Sequence, residues 1–123
     1  MTDDRSGGGT ALTPAAFHIL LALAGREQHG YAIMQEVAAL TEGQVKLGPG
    51  TLYRSIKALL ADGLIEETAK RPDPALDDER RRYYRLTQRG RGMAETEAER
   101  LAALVRVAHA RQLLPETAVL HAG

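Results

Sequence analysis

Apolar residues recur at helical spacing in three short segments, give way to two brief β-like runs, and return to helical spacing over a long last segment. In the first segment Phe17, Ile19, Leu20, Leu21 and Leu23 supply a broad apolar face. Thr13 is placed to cap this helix, Pro14 takes the first helical position, where a missing N–H costs nothing, and Gly25 ends it. The second segment begins at His29-Gly30-Tyr31, with His29 capping or packing near its start. Ile33 and Val37 lie one turn apart on its face, joined by Met34, Ala38 and Leu40. Thr41 to Gly48 is polar, carries two glycines and reads as a turn. A third helix is expected from about Thr51 to Ala61, with Leu52, Ile56, Leu59 and Leu60 inward and Asp62-Gly63 as its stop.

The period then changes. Leu64 to Thr68 is short and β-compatible, and Arg82 to Leu86 carries two tyrosines suited to a half-buried pleat. Between them, Lys70 to Glu79 holds two prolines and four acids and reads as a loop. Thr87 caps a last helix, expected from Gln88 to Leu113 with Pro115 beyond it. The expected fold is mainly α with a small β-hairpin, a winged helix-turn-helix plus a long C-terminal dimerisation helix. Its parts are a flexible N-terminal tail at 1–11, a DNA-binding domain at 12–86, the dimerisation helix at 87–114 and a C-terminal tail at 115–123. Leu101, Leu104, Val105 and Ala108 form the stripe of that last helix. So small a domain cannot bury all of such a stripe, and the simplest cover is the same helix of a second copy.

Composition narrows the function classes. With 44% hydrophobic and 26% charged residues, 123 residues suit one globular domain and not a disordered chain. No apolar run approaches the roughly 18 residues of a membrane span, and the N-terminus lacks the basic-then-apolar order of a signal peptide, so a cytoplasmic location is expected. The absence of cysteine excludes disulfides, Cys-ligated zinc and thiol chemistry. His18, His29, His109 and His121 are scattered singly, and no Gly-rich phosphate loop or nucleophile elbow is present. No enzyme activity, cofactor or metal is expected; Asp77-Asp78-Glu79 reads as a solvated charge run.

Net charge is zero, yet Lys70 to Arg91 holds eight bases against four acids. A neutral chain with one basic region can still dock on phosphates, because the local field governs approach. The third helix adds the shape required: an apolar back, and an outer side with Thr51, Tyr53, Arg54, Ser55, Lys57 and Ala58. A recognition helix in the major groove needs that division. Gly50 and Thr51 would offer unbonded backbone N–H groups to a phosphate, Tyr53 a hydroxyl, and Arg54 and Lys57 cations for phosphate or guanine. At the wing, Lys70 and Arg71 leave the first strand, and Arg80, Arg81 and Arg82 enter the second, where a neighbouring phosphate or minor groove would lie. Two plainer readings stand beside this one: an amphipathic helix with a solvated outer face, and wing arginines neutralised by Asp77 to Glu79. A winged helix that binds another protein through the same surface is a further alternative.

These residues also carry a resemblance. His29-Gly30-Tyr31-Ala32-Ile33, Leu47 to Tyr53 (LGPGTLY), Leu59 to Glu66 (LLADGLIE), Arg82 to Thr87 (RYYRLT) and Gly90 resemble PadR-type transcriptional regulators, over roughly Leu12 to Leu104. The chain is similar to the short subgroup with one dimerisation helix. The resemblance implies a winged helix-turn-helix, a homodimer through the terminal helix, double-stranded DNA as partner, repression of neighbouring genes, and Tyr53 at the DNA backbone. It implies a small-molecule effector for some members, stacked on tryptophan in those that bind flat drugs. This chain has no Trp and one Phe, which removes that stacking mode. Its wing, Arg71 to Glu79, is also more acidic at the tip than a generic DNA-binding wing.

Overall fold

The computed structural model describes residues 12–68 and 82–115. The expectations for the tails at 1–11 and 116–123 and for the loop tip lie outside the described residues. The elements in order are α1 (Pro14–Gly25), β1 (Gln28–His29), α2 (Gly30–Leu40), α3 (Pro49–Ala61), β2 (Ile65–Glu67), β3 (Tyr83–Leu86) and α4 (Gln88–Ala110).

α1 starts as its sequence dictates: the Thr13 hydroxyl accepts the Ala16 N–H at 3.0 Å and Pro14 opens the helix. Such a cap contributes about 1 kcal/mol. The helix packs against α2, α3, α4 and β3, which makes it the centre of the fold. Its buried stripe is Ala16, Ile19, Leu20 and Leu23, at the i, i+3, i+4, i+7 spacing of one face. Leu21, expected on that face, is 44% exposed, because it lies a further 100° round the helix from Leu20. Ile33 and Val37 of α2, Leu52, Ile56 and Leu59 of α3, and Ile65 and Tyr84 of the sheet close the same core.

The turn between α2 and α3 is held by Thr41. Its hydroxyl donates to the Val37 carbonyl at 2.8 Å and accepts the Val45 N–H at 3.0 Å. Glu42 and Gly43 reverse the chain with φ of 53° and 81°. α3 then begins at Pro49, two residues before the expected Thr51, with Gly48 as its cap residue. A proline at the first helical position explains the earlier start, just as Pro14 does in α1.

The sheet is antiparallel, in the order β1-β3-β2. The β2–β3 hairpin was expected, and its register pairs Ile65 with Leu86 and Glu67 with Tyr84. β1 was not: Gln28 and His29 pair with Tyr84 and Tyr83 on the other edge of β3. Two residues carry no periodicity to read. Gln28 is 2% exposed, and its side-chain amide donates to the Ala22 carbonyl at 3.0 Å, tying β1 to α1.

α4 is docked through its first turn. The Thr87 hydroxyl caps it by accepting the Gly90 N–H at 3.0 Å and donates to the Gly63 carbonyl at 2.6 Å, while the Thr87 N–H reaches the Leu64 carbonyl at 3.1 Å. Met93 and Ala94 pack on the core, and from there the helix leaves the domain. Its 23 residues span about 34 Å. It ends at Ala110, short of the expected Leu113, because Gln112 turns left-handed (φ 64°) and the Leu113 N–H folds back to the Ala108 carbonyl at 2.8 Å. No helix among the described residues is long and apolar enough to cross a membrane.

Candidate nucleic-acid interface

α3 follows from two facts about its sequence. Leu52, Ile56 and Leu59 recur at helical spacing and are at most 3% exposed, with Leu60 half-buried beside them. The remaining positions are therefore pushed outward: Gly50, Thr51, Arg54, Lys57 and Ala58 are exposed, and Ser55 and Tyr53 half-buried. The first intrahelical bond is the Leu52 N–H to the Gly48 carbonyl at 2.9 Å, and no side chain caps the helix. Pro49 has no N–H to offer, so the donors at this end are those of Gly50 and Thr51. The Arg54 guanidinium lies back along the helix, 3.9 Å from the position a Cβ of Gly50 would take. A cation and the positive end of a helix thus share one exposed turn.

Tyr53 sits differently from its neighbours. Its ring lies against Gly30 at the start of α2: a Cβ on Gly30 would fall 2.8 Å from the Tyr53 Oη and 3.0 Å from its Cε1. Two of the motifs that carry the resemblance, at Gly30 and at Tyr53, meet in space at this point. His29 caps α2 as expected, its Nδ1 accepting the Ala32 N–H at 3.1 Å, which requires that nitrogen to be unprotonated. The His29 ring also meets Tyr83 of β3 edge to face, with centroids 5.4 Å apart.

The wing is more self-contained than its charge suggests. Lys70, Arg71, Arg80 and Arg81 lie outside the described residues, so their expected role is unplaced. Arg82 is exposed but leans on Glu67 of β2 at 3.4 Å. Arg85 binds Glu66 at 2.7 Å, and the Glu66 carboxylate holds its guanidinium even more firmly protonated. Arg89 donates its Nε to the Asp62 carbonyl at 3.1 Å, completing the last turn of α3. Three of the basic residues counted from the sequence therefore serve the hairpin and the helix junction. Charge counting alone cannot reveal this, since it treats each arginine as unengaged.

The stripe on α4 is divided. Leu101 and Ala108 are half-buried, whereas Leu104 and Val105 are 53% and 37% exposed, with Val107 at 46% beside them. The Glu97 carboxylate, gripped by Arg100 through bonds of 2.9 and 2.5 Å, is held below its ordinary range.

Comparison with known proteins agrees with this architecture. The profile of the Transcriptional regulator PadR-like family matches residues 19–96. The transcriptional regulator Rv3488 of Mycobacterium tuberculosis is 35% identical over 89 residues, which is 72% of this chain and 77% of the relative. Among solved structures, a PadR family transcription regulator from Clostridium difficile superposes with a TM-score of 0.65 at 23% identity, over 81% of this chain and 99% of the other. A transcriptional regulator from Clostridium thermocellum gives a TM-score of 0.64 at 23% identity, over 77% and 86%. At that identity the two structures speak for the fold, a winged helix carrying a long C-terminal helix. The profile and the mycobacterial relative speak for more: this chain belongs to the PadR-like family, whose members are transcriptional regulators and not enzymes.

Proposed function

We propose that this protein is a homodimeric, sequence-specific DNA-binding repressor that acts in the cytoplasm on an inverted-repeat operator. Residues 12–86 form the binding unit and 87–114 the dimerisation helix in this reading. The observation that carries it is α3: a fully buried apolar back, with Thr51, Arg54, Lys57 and two unbonded N–H groups on the outer side of its first turns. Gly50, Thr51 and Tyr53 anchor phosphate, Arg54 reads base edges, and Lys57 takes phosphate or guanine. Two copies joined along Leu101, Leu104, Val105 and Ala108 of α4 present two such helices to successive major grooves, about 34 Å apart. An effector that releases the operator would act by altering that spacing. Lys70, Arg71, Arg80, Arg81 and Arg82 flank the groove as wing contacts, the lesser share falling to Arg82 because Glu67 already engages it.

The test is a mobility-shift assay on the DNA upstream of the protein's own gene. Tyr53→Ala and Arg54→Ala are each expected to weaken the complex by about tenfold, the loss of one charge-assisted or well-placed hydrogen bond. Binding unchanged in both variants would remove α3 from the interface.

A further inference from the structure

The geometry points to Gly30 as a positioning residue for DNA binding: its missing side chain is the seat that sets the Tyr53 hydroxyl at the DNA-facing surface. The inference rests on the proposed role of Tyr53 in α3. Gly30 is buried and helical, so its backbone makes no demand for a left-handed conformation; what it supplies is room. A Cβ there would lie 2.8 Å from the Tyr53 Oη, 3.0 Å from Cε1 and 3.2 Å from Cζ, and all three atoms belong to the far end of one side chain.

Which partner would yield is decided by how each is held. The Gly30 backbone is fixed through the residue before it. His29 pairs with Tyr83 in the sheet and stacks edge-on against its ring, and the same His29 caps the first turn of α2. The Tyr53 atoms in the overlap are instead the far end of a flexible side chain, which can shift where a backbone atom cannot. An added methyl group therefore displaces the tyrosine and leaves the fold in place. The contrast within the chain is Gly90, where a Cβ would overlap the backbone carbonyl of Leu64 and no side-chain rotation can relieve it. Because hydrogen bonds weaken steeply with misplacement, a hydroxyl moved by an ångström no longer serves the phosphate it faced. The seat also links two parts of the proposed interface, since the His29-Gly30 pair touches β3 of the wing through one residue and α3 through the next.

The experiment is a double-mutant cycle of Gly30→Ala and Tyr53→Ala, read as Kd on the upstream DNA and as thermal midpoint. Gly92→Ala serves as a control, because a Cβ there meets nothing within 4 Å. Gly30→Ala is expected to weaken binding about three- to tenfold with its thermal midpoint close to the parent's, and to add nothing to Tyr53→Ala. Additive losses, or parental affinity in Gly30→Ala while Tyr53→Ala is impaired, would overturn the seat and leave the role of Tyr53 standing. Parental affinity in both single variants would instead remove Tyr53 from the interface. Should Gly30→Ala fold poorly, the same change is made in a Tyr53→Phe background, which lacks the closest of the three atoms. Recovery of the thermal midpoint there supports the direct contact, and continued misfolding overturns it.

Discussion

Gly90 and Gly92 lie in the same turn of α4 and face opposite circumstances. A Cβ at Gly90 would run into the Leu64 carbonyl, whereas one at Gly92 would stand in open space. Gly90→Ala must push α4 away from the α3–β2 junction and is expected to cost about 3 kcal/mol. Gly92→Ala should gain about 0.5–1 kcal/mol, as alanine is the better helix former. Urea midpoints at a fixed protein concentration check both, since dimerisation would make them concentration-dependent. Equal midpoints would mean that α4 is not docked on Leu64. Residue roles of this kind divide by range. Thr13, His29 and Thr87 were legible as caps because the bonded partner lies three residues on, at Ala16, Ala32 and Gly90. The overlap of Gly90 with Leu64 and of Gly30 with Tyr53 joins segments distant in sequence. The motifs mark those glycines, and only the fold gives the reason for them.

At the scale of elements, legibility followed length and period. The four helices and the hairpin each repeat a pattern long enough to read, and all are present where the sequence expects them, with ends shifted by up to three residues. β1 escaped because Gln28 and His29 pair only once β3 stands beside them. α3 begins two residues before the expected Thr51, because a proline starts a helix at its first position as readily as it ends a turn. α4 is legible in extent but not in partner. Leu104, Val105 and Val107 lie exposed on a helix whose first two turns alone touch the core, and they are apolar without internal cause. Leu101→Asp combined with Leu104→Asp is expected to yield monomers by light scattering, with the thermal midpoint of the winged helix lowered only as far as lost dimerisation requires. A dimer that persists would place the interface elsewhere.

For the whole molecule, the question is where a chain with no net charge would find its hold on phosphate. Eight bases crowd between Lys70 and Arg91, but Arg82, Arg85 and Arg89 are engaged by Glu67, Glu66 and the Asp62 carbonyl. An arginine already neutralised by a carboxylate, as Arg82 and Arg85 are, releases fewer counterions on reaching DNA, so it contributes little to the salt dependence of binding. Lys57 is exposed on the outer side of α3, which fits it to act with its full charge. The slope of log K against log salt separates the two cases, since each phosphate contact contributes about −0.9. Lys57→Ala should flatten the slope by nearly that amount if the lysine meets phosphate, with affinity falling alike on operator and unrelated DNA. Arg82→Ala should flatten it by less than half as much, because Glu67 already engages that guanidinium. Arg54→Ala is expected to act mainly through specificity, narrowing the gap between operator and unrelated DNA, as the base-reading role proposed for it requires. If Arg82→Ala flattened the slope more than Lys57→Ala, the phosphate grip would belong to the wing, and α3 would be left with base recognition alone.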